Sequence, residues 1–268
     1  MALGGNPVFN SRNFREQTGG GGVAAGPRQS QDMSADQLRD LYSQRSAGPA
    51  ETGRMTYGDV INKTIFCFLG ILAGAVVGWQ LPGLMLIGLI VGLVLGLVNS
   101  FKKEPSPVLI MLYALAEGLF LGGISGVIDN LYPGAAMQAV LATLSVFAVT
   151  LLLYRSGKYR ATPKMTRMFT IAMGAYLVFS LVNLGLMMFG VTDSMFGLRS
   201  GWIGLAIGAL AVLLATYALV LDFTSIQRGV EHGAPAKYSW SAAFGLTVTM
   251  VWLYVEILRI IAILRGDE

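Results

Sequence analysis

Seven long apolar stretches dominate the sequence from Tyr57 onward, at about residues 59–80, 83–101, 106–129, 134–154, 166–190, 198–228 and 238–264. Each is long enough to carry an α-helix across a hydrocarbon core, which takes about 20 residues. Strands are excluded, because uninterrupted apolar runs of this length lack the period-two alternation of a membrane β-barrel. Charge is correspondingly scarce: 13% of the 268 residues are Asp, Glu, Lys or Arg and 54% are apolar, against a soluble norm of about 25% charged. The pattern predicts an all-α integral membrane protein with seven transmembrane helices.

Ahead of these stretches, residues 1–55 are rich in Gly, Ser, Gln, Asn and Arg and include the run Gly19–Gly22. No part of this segment resembles the apolar core of a signal peptide. Its low hydrophobicity cannot offset the entropy of ordering, so it reads as a flexible cytoplasmic tail. A short helix around Ser34–Tyr42 has a candidate cap in Ser34, with Gln37 three residues later. Two domains follow: the tail, 1–55, and the membrane domain, 56–268.

Basic residues orient the helices. The tail region, the 2–3 loop with Lys102 and Lys103, the 4–5 loop from Arg155 to Arg167, and the 6–7 loop with Arg228 and Lys237 hold sixteen of the nineteen. Arg199 and Arg265 fall on the other side, and Arg259 lies inside the last helix. The positive-inside rule then puts the N-terminus in the cytoplasm and the C-terminus outside. Glycines at four-residue spacing, as in Gly70, Gly74 and Gly78 or Gly118, Gly122 and Gly126, mark faces where helix backbones approach closely.

Two scarcities prune the chemistry. The chain has one histidine, His232, in the polar stretch between helices 6 and 7, and one cysteine, Cys67. That rules out an internal disulfide and a cysteine metal cluster, and it argues against zinc-dependent or Ser–His intramembrane hydrolysis. The expectation is a protein that is not an enzyme, with no catalytic residues, no bound cofactor and no nucleic-acid partner; whether it holds a metal is left open.

Few ionisable side chains fall within the apolar stretches: Glu117 in helix 3, Asp222 near the cytoplasmic end of helix 6, and Glu256 with Arg259 in helix 7. Because an intramembrane carboxylate costs several kcal/mol, each is a functional candidate. Helix rise puts Glu117, Asp222 and Thr249 in one layer of the inner half of the bilayer, with Glu256 roughly 10 Å further out. Glu256 and Arg259, three residues apart, can pair locally. Asp222 has no basic residue within a turn of its own helix.

The segments Leu115-Ala116-Glu117-Gly118-Leu119-Phe120-Leu121-Gly122, Leu219–Ile226 with Asp222, and Leu253–Leu264 with Arg259 resemble the Bax inhibitor family, also called the transmembrane Bax inhibitor motif family, with bacterial YccA-like members. The resemblance covers about 57–266, and Asn6–Asn10 with the loop Ser100–Pro107 look like a bacterial subgroup. It implies six helices around a central seventh, in a bacterial plasma membrane. It also implies a pH-sensitive calcium leak, a role in survival under stress or, for YccA-like members, modulation of a membrane-bound protease.

In the leak mechanism of the family, aspartates on helices 6 and 7 share a proton and control a gate. Asp222 matches the first, and alignment through Arg259 puts Thr249 at the second, so the full dyad is missing. Two close carboxylates make a proton-linked switch through mutual repulsion; an Asp–Thr pair has one titrating group. Glu117 would replace the missing acid if helices 3 and 6 were neighbours. Two functions follow. One is a proton-regulated cation leak with Asp222 as sensor and Glu117, Thr249, Glu256 and Arg259 along the ion pathway, where so few acids make calcium a weakly held transported ion. The other is a non-conducting regulator that binds a membrane protease or stress-response partner through its tail.

Overall fold

The computed structural model of the protein describes residues 53–157, 159–191, 194 and 196–266. The Ser34–Tyr42 helix and nearly all of the tail lie outside them. Seven helices long and apolar enough to cross a membrane follow one another in this region: α1 (Tyr57–Gln80), α2 (Met85–Phe101), α3 (Pro107–Leu131), α4 (Ala135–Arg155), α5 (Pro163–Met188), α6 (Gly201–Glu231) and α7 (Ser239–Gly266). Among the described residues there are no strands, only an isolated bridge between Arg54 and Pro235.

Local chemistry sets the helix ends. Thr56 caps α1 by accepting from the Asp59 amide at 3.1 Å, and Thr162 does the same for α5 through Met165. Both are N-cap bonds that satisfy an orphan donor of the first turn. Pro107 and Pro163 open α3 and α5, where a missing amide costs nothing. Asp129 accepts from the Ala136 amide at 3.1 Å, so the acid at the end of α3 closes the start of α4. Helix α5 begins at Pro163, earlier than the apolar stretch, and takes Lys164 and Arg167 from the loop into its first turns.

The C-terminal helix is the centre of the bundle. About two thirds of its spanning window is buried, the largest share of any helix, and it packs on α1, α3, α4 and α6. One apolar core joins α4, α6 and α7 around Ala139, Leu219, Leu253 and Leu258. A second joins α1, α3 and α7 around Cys67, Ile71, Ala114 and Val251. The ring is uneven, however. Helix α2 packs on α3 and does not run along α7, while α5 packs only lightly, on α6 and on the turn at Gly197–Arg199. Both expose most of their apolar side chains to the lipid.

The α1–α3 seam explains the glycine spacing. A Cβ on Gly74 or Gly78 would run into the backbone of Leu115 or Leu119, and one on Gly118 or Gly122 into that of Ile71 or Ala75. The two backbones are in contact, as small-residue seams allow. At the end of the bundle with most of the basic side chains, here the basic end, the Met55 amide donates to the Ala234 carbonyl at 2.7 Å. Lys63 donates to the Ala236 carbonyl at 3.0 Å there, which ties the start of the bundle to the α6–α7 loop.

Candidate functional site

Asp222 lies nine residues before the end of α6, about 14 Å from the basic end at the helical rise. Thr249 lies ten residues into α7, at nearly the same depth. The Thr249 hydroxyl donates to Asp222 Oδ2 at 2.7 Å, a direct bond between α6 and α7. Gly245, one turn before Thr249, borders the carboxylate: a Cβ there would meet Asp222 Oδ1 at 3.5 Å, an ordinary contact. Thr249 is 7% exposed, so water competes poorly for the bond. No basic side chain pairs with Asp222 among the described residues.

Glu117 goes elsewhere. Helices α3 and α6 do not pack along one another, and Glu117 turns toward α2, where a Cβ on Gly92 would fall 2.9 Å from its Oε1. Gly96, one turn on, gives the same room to the Tyr113 ring, with a contact of 3.3 Å. The condition under which Glu117 replaces the missing dyad acid is therefore not met. Its depth matches that of Thr249, but its carboxylate stands against α2 rather than α6.

Toward the other end of α7 lies a second polar cluster. Glu256 is 3% exposed and both of its oxygens are ion-paired, Oε2 with Arg259 Nη2 and Oε1 with Arg199 Nη2, each at 2.5 Å. The local pair of Glu256 with Arg259 is thus present, and Arg199 and Tyr176 join it. The Tyr176 hydroxyl donates to Glu256 Oε1 and accepts from Arg199 Nη2, while the Arg199 guanidinium stacks 5.2 Å above the Tyr176 ring. Arg259 Nη1 reaches back to the carbonyls of Arg199 and Gly204, both at 3.2 Å.

Sequence reasoning put Arg199 at the outer start of the sixth stretch, with no partner assigned, and passed over Tyr176. The signal for Arg199 was a solitary arginine between Gly197 and Gly201 on a side almost free of basic residues. Both glycines adopt positive φ, 61° and 58°, a turn that other residues resist. Asn183 of α5 fixes that turn by accepting from the Leu198 amide at 2.7 Å and donating to the Phe196 carbonyl at 3.2 Å. In α6, Gly208 makes the complementary space, since a Cβ there would come 3.2 Å from Arg259 Nη2.

Among the described residues no group of three or more His, Cys, Asp or Glu side chains is placed to hold a metal ion. The acids of the membrane domain stand apart: Asp222 on the α6–α7 face, Glu117 against α2, and Glu256 between two arginines.

A search among curated proteins gives no match. A family model described as Bax inhibitor 1 like matches residues 6–266, nearly the whole chain, including all seven helices and the segments that hold Glu117, Asp222, Thr249, Glu256 and Arg259. The chain belongs to the Bax inhibitor 1 like family.

Proposed function

We propose that this multi-pass membrane protein is a proton-regulated cation leak, with calcium the ion carried, in which Asp222 and Thr249 latch α6 to α7. The carrying observation is the 2.7 Å bond between the two side chains. An ionised Asp222 accepts a charge-assisted hydrogen bond, worth about 1.5–3 kcal/mol, whereas a protonated one makes a neutral bond of about 0.5–1.5 kcal/mol. Acidification weakens the latch. Flux therefore rises as pH falls through the titration of Asp222.

Threonine changes the proton count rather than the geometry. Two carboxylates in these positions must take up a proton before they can bond to one another. The Thr249 hydroxyl brings its own proton, so the latch is closed with Asp222 charged and opens with the uptake of one proton. Glu256, fixed by two arginines, is a structural anchor on this reading. Glu117 is an acid off the α6–α7 line. The basic end faces the cytoplasm of a bacterium by the positive-inside rule, with the C-terminus outside. The reading requires no catalysis, bound cofactor or nucleic acid.

Calcium flux from proteoliposomes across a pH series tests it. Asp222→Asn, neutral at every pH, is expected to leak at pH values where the wild type is closed and to lose the acid-induced rise. Identical flux and identical pH profiles for the two proteins would overturn the assignment.

One observation favours a second reading, a non-conducting regulator of a membrane protease. Among the described residues no second acid lies within hydrogen-bond reach of Asp222, which leaves little to attract a divalent cation. Cross-linking with and without residues 1–55 separates the two readings: a captured protease lost with the tail, from a protein without ion flux, supports the regulator.

A further inference from the structure

Glu117 is a half-buried acid at membrane depth that the α6–α7 latch does not use. Its carboxyl lies against α2, where a Cβ on Gly92 would fall 2.9 Å from Oε1 and 3.1 Å from the carboxyl carbon. Tyr113, one turn nearer the basic end on the same face of α3, sets its hydroxyl beside that carboxyl. The Tyr113 ring is 4% exposed and held edge-on against Phe244 of α7 at 5.0 Å. The two polar groups thus meet in the α2–α3 seam, Glu117 standing ten residues into α3, about 15 Å from the basic end.

Among the described residues no cation faces this acid. Helix α2 and the Pro82–Leu84 turn have no ionisable side chain, and Lys102, just past the end of α2, is about 15 Å from Gly92 along the helical rise. On α1, Asp59 and Lys63 stand at the basic end, bonded to Thr56 and to the Ala236 carbonyl, and Cys67 is a buried free thiol. Helix α4 is uncharged from Ala135 to Leu153. On α7, Glu256 and Arg259 are taken up in the ion-paired cluster with Arg199, and Tyr254 bonds to Ser125. No second acid joins Glu117 in a metal-binding group. An ionised carboxylate at membrane depth calls for a counter-charge, and the helices packed on α3 supply none. A neutral carboxyl needs none, and it still offers one donor and an acceptor oxygen to the tyrosine hydroxyl.

We propose that Glu117 is a proton-binding site of its own, separate from Asp222, and that it holds its proton at neutral pH while α2 lies against α3. The glycine face of α2 is the fitted cover of the neutral acid; ionisation would set an unpaired charge against it. The membrane domain then has two acids without cationic partners on two different helix pairs. The site stands apart from the Asp222–Thr249 latch and does not depend on the leak reading.

Infrared absorption of the full-length protein in lipid bilayers at neutral pH tests this, with Asp222→Asn as the background so that the other unpaired acid is silent. The carbonyl band of a neutral carboxyl is expected in Asp222→Asn and is expected to be lost in Asp222→Asn with Glu117→Gln, whose amide absorbs elsewhere. Labelling of the wild type with dicyclohexylcarbodiimide, located by peptide mass spectrometry, covers the case in which a variant fails to fold. The acid O–H adds across one C=N bond, the carboxyl oxygen going to the central carbon and the proton to nitrogen. The acyl group then migrates to nitrogen, and nothing leaves. Glu117 should react at least tenfold faster at neutral pH than Glu104, an exposed acid paired with Lys237, and the ion-paired Glu256 should stay unlabelled. Equal absorbance in the single and double variants, or, where the double variant does not fold, a Glu117 that reacts no faster than Glu104, would overturn the proposal.

Discussion

Replacing Glu256 by Gln makes the sharpest demand on the structural account. The change preserves shape and removes one charge from a group with both oxygens ion-paired at 2.5 Å. The amide can still accept on one oxygen, but its NH₂ now confronts a guanidinium donor, and two arginines lose their counter-charge. The side chains of Glu256, Arg259 and Arg199 are 3%, 6% and 16% exposed, so little solvent reaches the uncompensated charge. Breaking a buried pair by removing one partner costs about 3–5 kcal/mol. The partial opening at Arg199 sets the expectation at the lower end, about 3 kcal/mol, or roughly a hundredfold in the folding equilibrium at 1.4 kcal/mol per decade. Reversible unfolding in mixed micelles, followed by tryptophan fluorescence, measures this directly. Combining Glu256→Gln with Arg259→Met should cost less than the sum of the single changes by about 1–3 kcal/mol, because contacting charges couple. A Glu256→Gln cost below about 1 kcal/mol, or strict additivity, would refute the buried ion-pair description.

Three other outcomes are expected. Gly118→Ala should destabilise by about 1–3 kcal/mol through overpacking against the α1 backbone, whereas Gly92→Ala, which meets only the flexible end of Glu117, should cost less than half as much in the same unfolding assay. Thr249→Val, isosteric but without a donor, should remove about 1.5–3 kcal/mol from the α6–α7 contact and raise calcium flux at pH values where the wild type is closed. At the basic end, Lys237 pairs with Glu104 at 2.7 Å and holds its carboxyl below the ordinary glutamate range. The contribution of that pair is present above this range and is lost as pH falls through the lowered value. Carboxyl NMR should find Glu104 back in the ordinary range in Lys237→Gln.

The spans were legible in the sequence because one property, length without charge, is sufficient for a helix in lipid, and their ends were legible to within a few residues because Pro, Gly and Thr mark them. The central place of the last helix came from the family resemblance, as did the pairing of Asp222 with Thr249; neither follows from hydropathy. Helix adjacency was not legible. Equal depth placed Glu117, Asp222 and Thr249 in one layer, but depth says nothing about direction, and Glu117 turns toward α2 because Gly92 and Gly96 leave the room there. The Glu256–Arg259 pair was readable from spacing within one helix. Its third and fourth members were not, since both reach it from other elements: Tyr176 from the middle of α5 and Arg199 through a glycine turn whose path no periodicity encodes.

The central claim is that one proton on Asp222 releases α6 from α7. Dipolar distances between spin labels at Ser225 of α6 and Ser241 of α7, both exposed, test it in a background with the buried Cys67 replaced by Ala. The account predicts a longer-distance population that grows on acidification in the wild-type background, is already present at neutral pH in Asp222→Asn, and no longer responds to pH there. A distance distribution that stays the same across the pH series, or that shifts equally in Asp222→Asn, would contradict it.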